Sequence, residues 1–177
     1  MDLTEKTLST QQLYDGKVVN LRKDTVLLPN GATSFREVIH NSGGATIIAE
    51  YNGEIYFVKQ FRYPYGKTIL ELPAGKINEG ESPLDCATRE LEEETGLKAN
   101  NIKLLQTIYP TPAYTDEVIY IYVAEGVSKG NMHLDDDEFL NVVPIKIEDV
   151  KTMLKNGEIH DAKTLVSLYK YFAEKAL

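Results

Sequence analysis

The chain has 177 residues, 42% of them hydrophobic and 26% charged, an ordinary composition for one well-formed domain and too short for two large ones. Lys and Arg number 19 against 27 Asp and Glu; the formal net charge of −8 and the lack of a basic stripe argue against a nucleic-acid partner. A single cysteine excludes an internal disulfide, the start MDLTEKTLSTQQ has no apolar leader, and no run reaches membrane-spanning length, so a soluble cytoplasmic protein is expected.

In chain order, residues 18–28 read as a strand, Pro29-Asn30-Gly31 as a turn and 33–40 as a second strand. Residues 45–51 and 54–62, joined by Asn52-Gly53, make the clearest hairpin, since IIAEY and IYFVKQF are rich in β-branched and aromatic residues. A short strand, 68–72, leads into a predicted loop, Leu72-Pro73-Ala74-Gly75, whose exposed backbone carbonyl is a potential oxygen ligand. Ser82-Pro83-Leu84-Asp85 carries the marks of a helix start: a capping hydroxyl, a proline at the first helical position and an acid in the first turn. Gly96 marks the stop, and Leu84, Ala87 and Leu91 share an apolar stripe predicted to face a core. Further strands are predicted at 102–109, 117–124 and 139–145, with helices at 147–155 and 161–175. A strand-rich middle with helices after strands fits an α+β layered fold.

The predicted first helix carries an unusual charge pattern. Glu90 and Glu94 lie one turn apart with Glu93 beside them, so three carboxylates share one flank and repel one another. A hard divalent cation offsets such repulsion, and Mg²⁺ works with one or two carboxylates plus substrate phosphates. A bound cation also explains how an acidic protein accepts an anionic, phosphorylated substrate. Cys86, on the same helix with no predicted cation beside it, reads as a packing residue.

Gly75, Glu81, Arg89-Glu90-Leu91, Glu93-Glu94 and Gly96-Leu97 together reproduce the spacing of the Nudix box, with no fixed position departing from it. The chain thus resembles the Nudix hydrolases. The resemblance implies an α/β/α sandwich with a mixed sheet and an N-terminal antiparallel sheet extension. It also implies hydrolysis of a nucleoside diphosphate linked to another moiety, with Mg²⁺ or Mn²⁺ as cofactor. By motif position, Glu90 and Glu94 would be the main metal ligands, Glu93 a ligand or water-positioning group and the Ala74 carbonyl a further ligand. Glu81 and Arg89 would orient that cluster from behind.

Flanking residues resemble the ADP-ribose pyrophosphatase branch. Gln60-Phe61-Arg62 followed by Glu71-Leu72-Pro73-Ala74-Gly75 matches that branch's QxR and ELPAG stretches, and Pro112 stands fifteen residues beyond the box, where those enzymes carry a marker proline. The resemblance makes Arg62 a phosphate-binding fork and Glu71 a contact to ribose or adenine, with Pro112 at the substrate. Ala113 replaces the usual glycine, and Tyr114 lies where dinucleoside polyphosphate hydrolases carry a tyrosine. Without tryptophan, adenine stacking falls to residues such as Phe35, Tyr63 or Tyr65. The run Leu134-Asp135-Asp136-Asp137-Glu138-Phe139 resembles the branch's catalytic loop, making Glu138 the general base or water orienter; Asp136 stands where many relatives have glutamate. Asp161-Ala162-Lys163-Thr164 resembles a helix-capping stretch, with packing as the simpler account. The expected organisation is residues 1–42 as N-terminal strands engaged in a homodimer, and 43–177 as the hydrolase domain. The expected reaction is cleavage of ADP-ribose to AMP and ribose 5-phosphate. Beside it stand other nucleoside diphosphate-sugar or dinucleoside polyphosphate pyrophosphatases, and a non-catalytic ADP-ribose sensor.

Overall fold

The first forty residues form three antiparallel strands, β1 (Lys6–Asp15), β2 (Asn20–Leu27) and β3 (Thr33–His40), in the order β1-β2-β3. The β2–β3 pairing runs in register from Asn20 opposite His40 to Leu27 opposite Thr33, as the sequence predicts. Strand β1 was not predicted. All ten of its residues are exposed, so KTLSTQQLYD carries no burial pattern to read, and only its pairing with β2, irregular at two points, makes it a strand. The computed structural model describes residues 1–134 and 138–176. Its contacts divide the chain into two units, Met1–Gly43 with Tyr109–Val118, and Gly44–Ile108 with Ile119–Leu177.

Within the first unit, the segment Tyr109–Val118 is tied to the end of β3. The Ile39 amide donates to the Tyr114 carbonyl at 2.8 Å and the Asp116 amide to the Ile39 carbonyl at 3.3 Å. The Asp116 carboxylate also lies 2.7 Å from His40 Nδ1 and accepts the Asn41 amide at 2.9 Å. Although burial opposes it, these partners hold the Asp116 carboxyl below the ordinary aspartate range.

The second unit is built on one mixed sheet. Its strands are β4 (Gly44–Tyr51), β5 (Glu54–Arg62), β6 (Lys67–Glu71), β7 (Ala74–Lys76), β8 (Leu97–Ile108), β9 (Ile119–Lys129) and β10 (Leu140–Lys146). The main order is β10-β5-β4-β9-β8, with β6 on β5 and β7 on β4. Strands β4 and β5 meet only next to their turn, at Glu50–Ile55 and Tyr51–Glu54, and then diverge. The opened edge of β4 takes β7, so Ala74 and Gly75 pair with Thr46 and Ala45. The predicted exposed loop is therefore partly a strand: Leu72 and Pro73 are buried, and the Pro73 carbonyl accepts bonds from the Ile47 amide and the Thr46 hydroxyl.

Alternation along β4 decides the layering. Ala45, Ile47 and Ala49 face one core, packed with Cys86, Ala87 and Leu91 of helix α1 (Pro83–Thr95). Ile48 faces the other, with Val150 and Leu154 of α2 (Ile147–Asn156) and Leu168 and Tyr171 of α3 (Ala162–Lys175). Helices thus cover both sheet faces, giving the α/β/α sandwich implied by the box. No helix among the described residues is long and apolar enough to cross a membrane.

Candidate active site

The ends of α1 follow the predicted local chemistry. Ser82 Oγ accepts the Asp85 amide at 3.1 Å, Pro83 opens the helix, and Gly96 closes it with φ +67°, a left-handed conformation that a side chain would strain. The predicted apolar stripe is shifted. Leu84 is 43% exposed, left with Thr88 and Ile102 on the rim of a shallow groove, and the core positions are Cys86, Ala87 and Leu91. At the first turn the helix faces this open groove along β8, not the core, so periodicity from Leu91 back to Leu84 overruns the core. Cys86 is fully buried, with its thiol against the Gly75 and Lys76 carbonyls; burial pushes its pKa to about 12, which suits packing and no thiolate role.

Moving the buried stripe around the helix takes two carboxylates inward. Glu90 is 6% and Glu94 3% exposed, while Glu93 stays half-buried. Arg89 binds its acidic neighbours together. Its Nε and Nη2 meet the two Glu81 oxygens at 2.8 and 3.1 Å, and its Nη1 donates to Glu90 Oε1 at 2.6 Å and Glu93 Oε2 at 2.8 Å. These bonds, foremost those to Glu81, raise the guanidinium's already high pKa. Glu81 also accepts the Asn78 amide, anchoring the cluster to the loop before α1. Gly75 leaves room for this arrangement: a Cβ built there would overlap the Glu90 carboxylate.

Glu94 has a different partner. Its Oε2 accepts the Ala74 amide at 2.9 Å, linking the helix to β7. Burial, then the charges of Glu90 and Glu138, raise its pKa to about 8. Burial also raises Glu90 to about 7, with Glu93 and Glu138 adding repulsion that Arg89 only partly offsets. Glu138 is therefore within electrostatic reach of both buried glutamates. Asp136, with Asp135 and Asp137, lies outside the described residues.

Among the described residues, no three acidic, histidine or cysteine side chains converge into a finished metal cage. The chemistry of Glu90 and Glu94 nevertheless fits a hard cation. Among the described residues each keeps one oxygen, Glu90 Oε2 and Glu94 Oε1, without a hydrogen bond, and their proton affinities are raised because burial outweighs the positive charge of Arg89 near Glu90 and of Lys163 near Glu94.

A second charged group lies at the edge of the sheet. Glu71, only 2% exposed, accepts Arg62 Nε at 2.6 Å and Nη2 at 2.7 Å in a bidentate fork, and Lys163 Nζ from α3 on Oε2. Burial alone would raise the Glu71 pKa, but Arg62 and Lys163 bring it below the ordinary range; Arg62 is raised in turn by Glu71. Sequence reasoning placed Arg62 and Glu71 at the site but assigned them separate contacts, and it left Lys163 to packing. Their pairing joins residues 9 and 92 positions apart, and unexplained charges at a helix start were the only available signal. Pro112 is exposed in the Tyr109–Val118 segment of the first unit, and Phe35, Tyr63 and Tyr65 are exposed as well.

A family model described as the NUDIX domain matches residues 40–168, and one described as the nucleoside diphosphate sugar hydrolase N-terminal domain matches residues 5–39. The chain belongs to the Nudix family. Among its relatives, the methanol dehydrogenase activator of Bacillus methanolicus is 40% identical across 98% of this chain and 95% of that protein. The ADP-ribose pyrophosphatase of Bacillus subtilis is 39% identical across 99% and 96%, and the GDP-mannose pyrophosphatase of Yersinia enterocolitica 31% identical across 80% and 81%. An ADP compounds hydrolase of known crystal structure superposes with a TM-score of 0.87 over 98% of this chain and 95% of that one; at 19% identity it bears on the Nudix fold alone. With its box complete and its relatives matched nearly end to end, the chain is a Nudix hydrolase.

Proposed function

We propose that this Nudix hydrolase cleaves the diphosphate of ADP-ribose to AMP and ribose 5-phosphate with Mg²⁺, for which Mn²⁺ can substitute. The observation that carries this reading is the pair of buried carboxylates, Glu90 and Glu94, each with a spare oxygen and a raised proton affinity. The choice of ADP-ribose is supported by the 39% identity to an ADP-ribose pyrophosphatase along 99% of this chain. When bound by Glu90, Glu94, Glu93 and the Ala74 carbonyl, a divalent cation supplies neutralisation of the diphosphate charge and a more acidic water. Arg89 and Glu81 keep Glu90 and Glu93 in a fixed orientation, so less side-chain freedom is lost when substrate arrives. Arg62, held by Glu71 with its Nη1 edge unpaired among the described residues, offers a donor to a phosphate oxygen. Glu138 takes the proton of the water that attacks phosphorus. The exposed β1, with Leu8 and Leu13 uncovered, supports a homodimer formed through residues 1–42.

The test is incubation with Mg²⁺ and a panel of ADP-ribose, GDP-mannose, diadenosine polyphosphates, NADH and oxidised nucleotides, with products separated by chromatography. AMP and ribose 5-phosphate are expected to form fastest, from ADP-ribose. Faster turnover of GDP-mannose, as the relatives named for it act on, would reassign the substrate within the nucleoside diphosphate sugars. Tight ADP-ribose binding without turnover of anything would make the protein a sensor.

A further inference from the structure

Lys163 is a half-buried cation beside the site to which the box assigns no role. Its side chain is 16% exposed, and its ammonium lies between Glu71 Oε2 and Asp161 Oδ2, the latter at 3.0 Å. The backbone around it is fastened at both ends. Asp161 caps α3 by accepting the Thr164 amide at 3.0 Å, and Thr164 Oγ1 accepts the Leu72 amide at 2.9 Å, directly after Glu71 in the chain. The head of α3 is thus locked to the strand that carries Glu71. Within this frame Glu71 is shared. Arg62 occupies both of its oxygens through Nε and Nη2, and Lys163 adds a second cation to Oε2.

Sharing changes what Arg62 can do. Lys163 adds a second cation to the same carboxylate while Asp161 balances its charge, so Lys163 holds the Glu71 carboxylate, and with it the Arg62 fork, in one orientation. Arg62 remains 40% exposed with Nη1 unpaired among the described residues, the geometry of a donor awaiting an anion. Lys163 also lowers the proton affinity of Glu94, and Glu94 in turn acts on Arg62, so this group and the buried glutamates share one electrostatic neighbourhood.

We infer that Lys163 is a positioning residue for diphosphate recognition, acting through Glu71 to keep the Arg62 fork oriented, without touching the substrate itself. The inference rests on the reading of Arg62 as a phosphate-binding residue. It assigns a task to the first turn of α3, which the capping motif alone does not explain.

A double-mutant cycle tests it. KM and kcat for ADP-ribose are measured with Mg²⁺ in the wild type, K163Q, E71Q and the E71Q/K163Q double variant, with K163R as the conservative change and thermal unfolding recorded for each. K163Q is expected to raise KM about tenfold while kcat stays within about twofold, and K163R to recover most of the loss. In the E71Q background, K163Q is expected to change KM by less than about twofold, because the residue through which it acts is already neutral. An equal K163Q effect in both backgrounds, a failure of K163R to recover KM, or a lowered melting temperature with unchanged KM would each overturn the inference. Should K163Q alone not fold, comparison of E71Q with E71Q/K163Q still carries the test: equal KM values support it and unequal values overturn it. The wild type separates the two readings. If it turns nothing over, the hydrolase reading fails, and the same cycle is read from ADP-ribose affinities by calorimetry; if it binds no ADP-ribose, this inference fails with it.

Discussion

Replacing Glu94 by Gln removes a buried titratable group while keeping its hydrogen bond, because the amide oxygen can still accept the Ala74 amide. Glu94 is raised from 4.5 to about 8 in the folded protein, and Glu90 from 4.5 to about 7. A group whose folded pKa lies above its unfolded value favours folding below the unfolded value, and that advantage is lost as pH rises through the folded one. Without metal, wild-type stability should therefore fall from about pH 4.5 to about pH 8, with Glu94 accounting for roughly 5 kcal/mol of the loss. In E94Q only the Glu90 part remains, so the decline should be shallower and end near pH 7. Above pH 8 the metal-free variant should be the more stable protein, although it loses most turnover. Carboxylates held below their ordinary range, such as Glu71, Glu81 and Asp116, lose their contribution only as pH falls below about 4.5, outside this window. Urea unfolding from pH 5 to 9 in chelator measures the difference. Parallel profiles for wild type and E94Q would refute the idea that burial and repulsion set the proton affinity of this pair.

Three further outcomes are expected. G75A should fold with a displaced Glu90, because the new methyl occupies the position of its carboxylate; Mg²⁺ affinity by calorimetry should fall at least tenfold, and unchanged affinity would contradict a role for Glu90 in metal binding. T164V keeps the side-chain shape but leaves the buried Leu72 amide without its acceptor, which should cost about 1–3 kcal/mol in denaturant unfolding. E138Q should lower kcat by about 10²–10⁴ with little change in ADP-ribose affinity, and a change confined to affinity would remove Glu138 as the base.

The helix that carries the box was legible because each of its signals is local. Ser82, Pro83 and Asp85 specify the start, Gly96 the left-handed stop, and the spacing of Glu90, Glu93 and Glu94 puts three acids on one flank before any packing is known. The β4–β5 hairpin was legible for the same reason, as Asn52-Gly53 joins two runs of β-branched and aromatic residues. Strand β1 was not, because a fully exposed strand has no alternation to betray it. Strand β7 was hidden by its proline and glycine neighbours, which read as a loop until the divergence of β4 and β5 offers an edge to pair with.

From residue types and their spacing alone came the acidic flank, since one helical turn brings those groups together whatever surrounds them; the reaction family and the bracing role of Arg89 came from the resemblance of that spacing to the Nudix box. Folding decided the energetics. Only the packing of α1 on the sheet, with β7 against both side chains, makes Glu90 and Glu94 buried, and burial turns ordinary acids into groups that hold protons near neutrality until a cation takes their place. Only the docking of α3 brings Lys163 to Glu71 across 92 residues of chain, because no local pattern records which distant charge a buried carboxylate will find.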